Sequence, residues 1–339
     1  MEIGVFDHLD RNGSSLHDLY EERLRIAEAY DRAGFYSYHV AEHHATPLGS
    51  APSPSVYLSA VAQRTKRLRF GPLVYLLPLY HPLRLAEEIA MLDHLSDGRF
   101  DVGVGRGISP IESMLYGADP ERSQERFDEA LEVLQIAFAR EQIDYDGKHF
   151  RFHNVPVILK PRQSPHPPFW YGISAPESAS RCVARGFNCL TLSATDRAAA
   201  IVRSFNEAAV QAGRTDLRIG IVRFIVVGET DEQARRIARR AYRVWHRSFH
   251  HLYHAYGRSP VQGERPSEFD GMVELGIGIA GSPSEVIAAL GAQIRATGAN
   301  YVAGQFVFGD MSLAESLASI ELFASEVMPA FSAKQVTAP

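Results

Sequence analysis

The chain has little cysteine, no long apolar run and no excess of basic charge, and each shortage closes off a class of protein. Only Cys182 and Cys189 occur among 339 residues. One sits in a helical pattern and the other in a strand-like one, which reads as two buried thiols and leaves no disulfide framework. The longest apolar stretch, around 70–79, falls well short of the roughly 20 residues that span a bilayer and is interrupted by Pro72 and Pro78. No membrane partner is expected. Met1-Glu2-Ile3-Gly4 leads directly into a strand-like pattern without a basic segment ahead of an apolar one, which predicts a cytoplasmic protein. A net charge of −5 without a lysine-rich run gives no electrostatic footprint for nucleic acid. The pairs Arg235-Arg236 and Arg239-Arg240 recur at helical spacing among acidic residues and read as a solvated helix face. Two motifs are also missing. The adjacent His43 and His44 lack the His-Glu-x-x-His order of a zinc protease. Gly103-Val104-Gly105-Arg106-Gly107-Ile108 puts isoleucine where a dinucleotide-binding G-x-G-x-x-G needs its third glycine.

What is present is alternation. Short apolar runs take turns with amphipathic stretches from one end of the chain to the other, the pattern of a parallel sheet wrapped by helices. Eight strands are predicted near 3–6, 38–41, 69–76, 100–104, 169–171, 188–192, 218–227 and 301–306. Helices fall near 19–33, 55–64, 82–95, 123–138, 177–185, 198–212, 231–247 and 283–296, with a closing helix near 313–327. Ser282 and Thr230 stand where caps belong. The fold class is α/β, a single (β/α)8 TIM barrel over residues 1–339. Three segments depart from the repeat: an insertion at about 139–168, a lid loop at about 250–275 and a short tail at 332–339. The insertion holds a Tyr-Asp-Gly-Lys turn and reads as a hairpin pairing 149–152 with 155–159. The lid is rich in Gly, Pro, Ser and charge, as mobile active-site covers are.

In such a barrel the ligand site is built where strands end. Four unusual groups fall at successive strand ends: Glu42-His43-His44, Leu73-Val74-Tyr75, Gly103 to Gly107, and Gly172-Ile173-Ser174. Histidine titrates near neutral pH and serves as acid, base or hydrogen-bond donor. Glycines let a flat ligand approach the backbone, or simply form a tight barrel corner. Arg106 offers a forked cation for phosphate. Gly172-Ile173-Ser174 precedes a helix starting near Pro176, so Ser174 reads either as part of a phosphate cradle or as an ordinary cap. Arg126 supplies a second cation or pairs with Asp128 or Glu129. His246, His250 and His254 recur at helical spacing. With Trp245, Phe249 and Tyr253 beside them and no nearby carboxylate in sequence, they read as an aromatic wall, and no metal is expected.

Taken together, Ala41-Glu42-His43-His44, Leu77 to Pro82, Leu92 to Phe100, Gly103 to Gly107, Gly281-Ser282-Pro283, Ala296-Thr297-Gly298 and Leu322 to Pro329 resemble the bacterial luciferase α chain and its wider family of flavin-dependent monooxygenases. The likeness runs nearly end to end. It implies that His43 lies beside the flavin as catalytic acid or base, and that His44 and Glu42 support it or bind substrate. It further implies that Arg106, Arg126 and Ser174 hold the FMN phosphate, that Ile173 also lines the cofactor site, that Glu112 stands near the flavin, and that Leu73-Val74 is a non-proline cis peptide against the isoalloxazine ring. Gly105 stands where luciferase carries a reactive cysteine, which argues against light emission and implies more room over the ring. The implied reaction uses FMNH2 from a separate reductase and O2, through a C4a-peroxyflavin, to oxygenate a small organic substrate. The helix 82–95 implies a homodimer. Two other readings remain: an F420-dependent hydride-transfer enzyme on the same barrel, and a flavin-binding protein without catalysis.

Overall fold

The computed structural model describes residues 1–261 and 263–331; the expected tail at 332–339 and residue 262 of the expected lid lie outside them. In chain order the elements are β1 (Glu2–Asp7), α1 (Leu16–Ala33), β2 (Ser37–Val40), α2 (Pro54–Arg64), β3 (Arg69–Pro72), β4 (Tyr75–Leu76), α3 (Pro82–Leu95), β5 (Val102–Gly105), α4 (Pro110–Leu115) and α5 (Ser123–Ala139). There follow β6 (Gln142–Asp146), β7 (Arg151–Pro156), β8 (Phe169–Gly172), α6 (Ala179–Ala184), β9 (Asn188–Thr191), α7 (Thr195–Gln211), β10 (Ile219–Val227), α8 (Asp231–Ala255), α9 (Phe269–Glu274), β11 (Gly278–Gly281), α10 (Pro283–Thr297), β12 (Tyr301–Gln305) and α11 (Leu313–Leu322).

The main sheet is parallel, in the order β3-β2-β1-β12-β10-β9-β8-β5-β4. Its two ends meet because β3 and β4 are halves of one strand. Phe70 on β3 bridges Phe100 ahead of β5, and β4 pairs with β5 farther on. A barrel wrapped by helices results, as the alternation predicts. Phe6, Leu73, Trp170, Leu190, Val222 and Tyr301, one from each of six strands or strand ends, pack together as the barrel's interior cluster. A larger apolar layer lies between strands and helices. Pro and Gly mark the helix ends: Pro82, Pro110 and Pro283 sit in first turns, while Gly34 and Gly298 close α1 and α10 in the left-handed region that glycine tolerates.

Several expectations change. The single strand expected at 69–76 is broken at Leu73-Val74, which is a cis peptide. A further parallel strand, β11, pairs with the outer half of β10; its Gly-Ile-Ala-Gly sequence is too short and too small to signal a strand. Helix α8 runs through Ala255 rather than stopping at 247, and α9 occupies part of the expected lid. The hairpin is real, but β6 pairs with β7 through Gln142–Pro156 and Asp146–Arg151. The runs expected to face each other therefore lie largely on one strand. Thr230 caps α8 by accepting the Gln233 N–H, whereas Ser282 makes no side-chain cap.

One buried ionic group anchors the exit of β1. Arg23 on α1 is fully enclosed with its guanidinium 3.5 Å from Asp7 and 3.3 Å from Asp10. Asp7 also accepts from Tyr38 and from the Leu9 N–H, and Asp10 accepts from the Gly309 N–H. Burial pushes the Asp10 carboxyl up to about 7 even against the pull of Arg23. Removing the cation strands two buried acids, and that costs far more than the pair's net worth. Arg23→Met is expected to lower the unfolding free energy by about 3–5 kcal/mol in urea denaturation. Adding Asp10→Asn should restore part of the loss; equal stability of the single and double variants would show that the ionic group is not the anchor.

Candidate active site

β1 and β2 pair through Val5–Tyr38, Phe6–His39 and Asp7–Val40, so His8 and Glu42-His43-His44 leave the barrel side by side. The imidazoles of His8 and His43 stack, centroids 5.6 Å apart and 22° from parallel. His43 Nδ1 lies 3.1 Å from Glu112 Oε1 on α4, and the same oxygen accepts the His44 backbone N–H at 3.0 Å. A carboxylate oxygen can only accept, so Nδ1 carries a proton and Nε2 is the nitrogen left to give or take one. Glu112 is itself set by the first turn of α4, where Ser109 accepts its N–H.

Glu42 and His44 face inward. His44 Nε2 bonds Glu42 Oε1 at 2.8 Å, while the other Glu42 oxygen accepts from Tyr80 and from the Leu76 N–H. Both carboxylate oxygens are thus engaged within the protein. The pair ties the end of β2 to the end of β4, while the buried His44 Nδ1 has no hydrogen-bond partner among the described residues.

Burial opposes charge on His43, yet the adjacent Glu112 carboxylate, with a smaller contribution from Glu42, holds its pKa above the usual value. Glu112 answers in the opposite sense: burial would raise it, but His43 and the His44 N–H bring it below the usual carboxylate range. The mutual stabilisation is present between those two values. It is lost as pH rises through the His43 pKa and as pH falls through that of Glu112.

Sequence reasoning passed over His8, although it stands at a strand exit like the others. Its Nδ1 receives the Trp245 indole N–H at 3.4 Å and the Gln305 amide at 3.1 Å. Because an indole only donates, Nδ1 is an acceptor and the ring is the neutral Nε2–H form. Burial, with His43 and Arg265 as nearby cations, pushes its pKa well below the usual value. Trp245 comes from α8 and Gln305 from β12. No sequence pattern announces that they meet.

Across the barrel mouth, β5 and β8 are neighbours. Arg106, just past β5, is exposed and has no hydrogen bond or acidic partner among the described residues. It lies within electrostatic range of Tyr171, as does Arg181 on α6, which sequence reasoning missed. Ile173 is buried and donates its N–H to Leu190. The Ser174 carbonyl accepts from Arg197, and its hydroxyl caps nothing: Ala175 takes the cap position. The hydroxyl is free for another partner. Arg126 is occupied differently, its Nε donating to the Pro78 carbonyl at 2.7 Å and its guanidinium lying over Phe150. Asp128 pairs with Arg185 and Glu129 with backbone amides, so neither takes Arg126.

The glycines have a local reason. A Cβ on Gly103 would stand 1.9 Å from the Pro72 carbonyl oxygen, and one on Gly105 would stand 2.3 Å from a Val74 methyl. The expected extra room at Gly105 is therefore already taken by Val74. On α8 the ring wall is present, with Trp245 stacked on Phe249 at 5.2 Å. A carboxylate does approach the histidine stripe, since Glu264 lies 2.9 Å from His250 Nε2. Among the described residues, no group of three such side chains is placed to hold a metal. No helix among the described residues is long and apolar enough to cross a membrane.

The chain matches the model of the luciferase-like monooxygenase family over residues 1–301. It belongs to that family and is an enzyme of the flavin-dependent monooxygenase class. Uncharacterized protein y4wF of Sinorhizobium fredii (strain NBRC 101917 / NGR234) is 43% identical over 97% of this chain and 96% of its own length. The solved structure of monooxygenase RslO1 from Streptomyces bottropensis superposes with a TM-score of 0.89 at 27% identity, covering 98% of this chain and all of that one. The oxygenating constituent of 3,6-diketocamphane monooxygenase from Pseudomonas putida, solved with FMN, shares the fold with a TM-score of 0.78 at 23% identity over 97% and 98% of the two chains.

The His43–Glu112 contact yields a titration test. Imidazole NMR is expected to place the His43 midpoint above about 6.5, and Glu112→Gln should bring it below that value. A midpoint indifferent to Glu112→Gln would remove the carboxylate from the account.

Proposed function

We propose that this protein is the oxygenating component of a two-component system, an FMNH2-dependent monooxygenase that uses O2 to oxygenate a small organic substrate and draws reduced flavin from a separate reductase. The observation that carries the reading is His43. It is fixed through Nδ1 by Glu112, with Nε2 left to exchange a proton at the barrel mouth.

The residues at the mouth fit FMN in part as expected. Among the described residues Arg106 is a cation without a partner and Ser174 a hydroxyl without one, just past adjacent strands, and they are assigned to the phosphate. The Leu73-Val74 turn, backed by Gly105, is assigned to the ring. Arg126 is dropped from the phosphate and given the task of tying α5 to the Pro78 carbonyl. When bound, the reduced flavin supplies the electrons that activate O2. The protein's share is to orient the substrate, exclude water and move one proton at His43 Nε2. The segment after α8 serves as the cover. Its backbone is held on α8 by Tyr242 donating to the Pro266 carbonyl and by Arg243 paired with Glu268. The oxygenating constituent solved with FMN supports both the cofactor and the external reductase. Exposed Val56 on α2 and Met91 and Leu95 on α3 support a homodimer through those neighbouring helices.

Anaerobic titration with FMNH2 and with reduced F420, followed by admission of O2, tests the reading. The protein is expected to take up FMNH2 in preference and to change its rate of reoxidation relative to free flavin. His43→Ala should keep FMNH2 affinity within about threefold while shifting the reoxidation rate about a hundredfold. Preference for F420 would replace the reading with hydride transfer. Binding of FMNH2 without effect on its oxidation would leave a flavin carrier.

A further inference from the structure

Among the described residues, Arg265 is a guanidinium without a counterion, within electrostatic range of His8. It is half-buried, and among the described residues its side chain has neither a hydrogen bond nor an acidic partner. Most of the α8 arginines around it are satisfied: Arg239 by Asp270, Arg240 by Asp310 and Glu315, Arg243 by Glu268. Its own backbone is held firmly. His246 bonds the Arg265 carbonyl at 3.2 Å and Tyr242 donates to the next carbonyl, Pro266, at 2.8 Å. One helical turn of α8 thus sets the strap, and Trp245 on that same turn donates to His8. The Arg265 charge lies within electrostatic range of His8, and its burial opposes its own ionisation. A half-buried cation left unpaired is costly unless something else brings the anion.

The position separates Arg265 from the phosphate subsite. Arg106 and Ser174 follow β5 and β8. His8 follows β1, and in the strand order β1 and β12 lie on the far side of the ring from β5 and β8. A second cationic point on that side is not needed for the flavin phosphate. His43, at the exit of β2, stacks on His8.

We propose that Arg265 anchors the substrate, and that the substrate is a small ring-bearing carboxylate. Its carboxylate pairs with the Arg265 fork, and its flat body lies along the imidazoles of His8 and His43 under Trp245. The chemistry follows from the groups present. A guanidinium meets a carboxylate with two parallel hydrogen bonds, and the neighbouring rings of His8, His43 and Trp245 suit a flat body better than a flexible chain. The neutral His8 adds a single Nε2–H donor and no competing charge. The inference rests on the monooxygenase reading only for what becomes of the bound acid; the binding itself needs neither flavin nor oxygen.

Benzoate and benzamide, the same shape with and without the charge, are the probes. Binding to the full chain without flavin or O2, followed by calorimetry, is expected to favour benzoate by about ten- to a hundredfold. Arg265→Gln should remove that preference by weakening benzoate and leaving benzamide unchanged, and Arg265→Lys should recover part of it. The proposal is overturned if benzamide binds wild-type protein as well as benzoate does, if Arg265→Gln leaves benzoate binding intact, or if benzoate fails to bind at millimolar concentration. Each of these results can arise while FMNH2 is still bound and oxidised as described above, so the two readings fail separately.

Discussion

A single carboxylate oxygen, Glu112 Oε1, holds the reactive rim together. It accepts from the His43 ring and from the His44 backbone at once. A carboxylate in that position fixes the tautomer of His43, aims Nε2 outward and favours the charged ring, all through one short contact. The neighbouring Glu42 does the complementary work inside, joining His44, Tyr80 and the Leu76 N–H. Two acids therefore serve two histidines, each of which is held through one ring nitrogen. His8 completes the arrangement from the adjacent strand, held neutral chiefly by burial and by the nearby cations, with the Trp245 indole on its acceptor nitrogen.

That rim is possible only because the barrel closes tightly just beneath it. β3 and β4 are separated at Leu73-Val74, and β5 runs against both. Gly103 and Gly105 allow this approach, since any side chain at either position would meet Pro72 or Val74. The glycine run therefore has a packing reason before it has a ligand reason. Whatever lies on the Leu73-Val74 turn meets a surface shaped by the valine rather than an open space. α8 links this rim to the outer surface: its arginines pair with acids from neighbouring loops and helices, while Tyr242, Trp245 and Phe249 form a wall of rings on another face.

Much of this was legible in the chain because it follows from local pattern. The barrel could be read from alternation, since each β/α unit declares itself within about thirty residues, and His43 from its position at a strand exit. β11 was missed because Gly278-Ile279-Ala280-Gly281 has no side chains large enough to mark a buried strand. The hairpin pairing was shifted because two runs on one strand carry the same alternation as two runs on facing strands. That the Arg126 Nε is engaged by the Pro78 carbonyl was not legible, because a cation near a predicted phosphate site looks alike in sequence whether it is free or fixed to the backbone.

By itself, then, the sequence determined the architecture and the strand ends at which the candidate residues gather, because periodicity and strand ends are local properties of the chain. Tertiary structure decided which groups meet there. The His43–Glu112 contact joins residues 69 apart, and His8 meets Gln305 across 297. The Arg265 charge comes within electrostatic range of His8 only because the segment after α8 folds back along that helix. A hydrogen bond is a matter of a few ångströms and an angle, and neither is written in the spacing of residues that far apart.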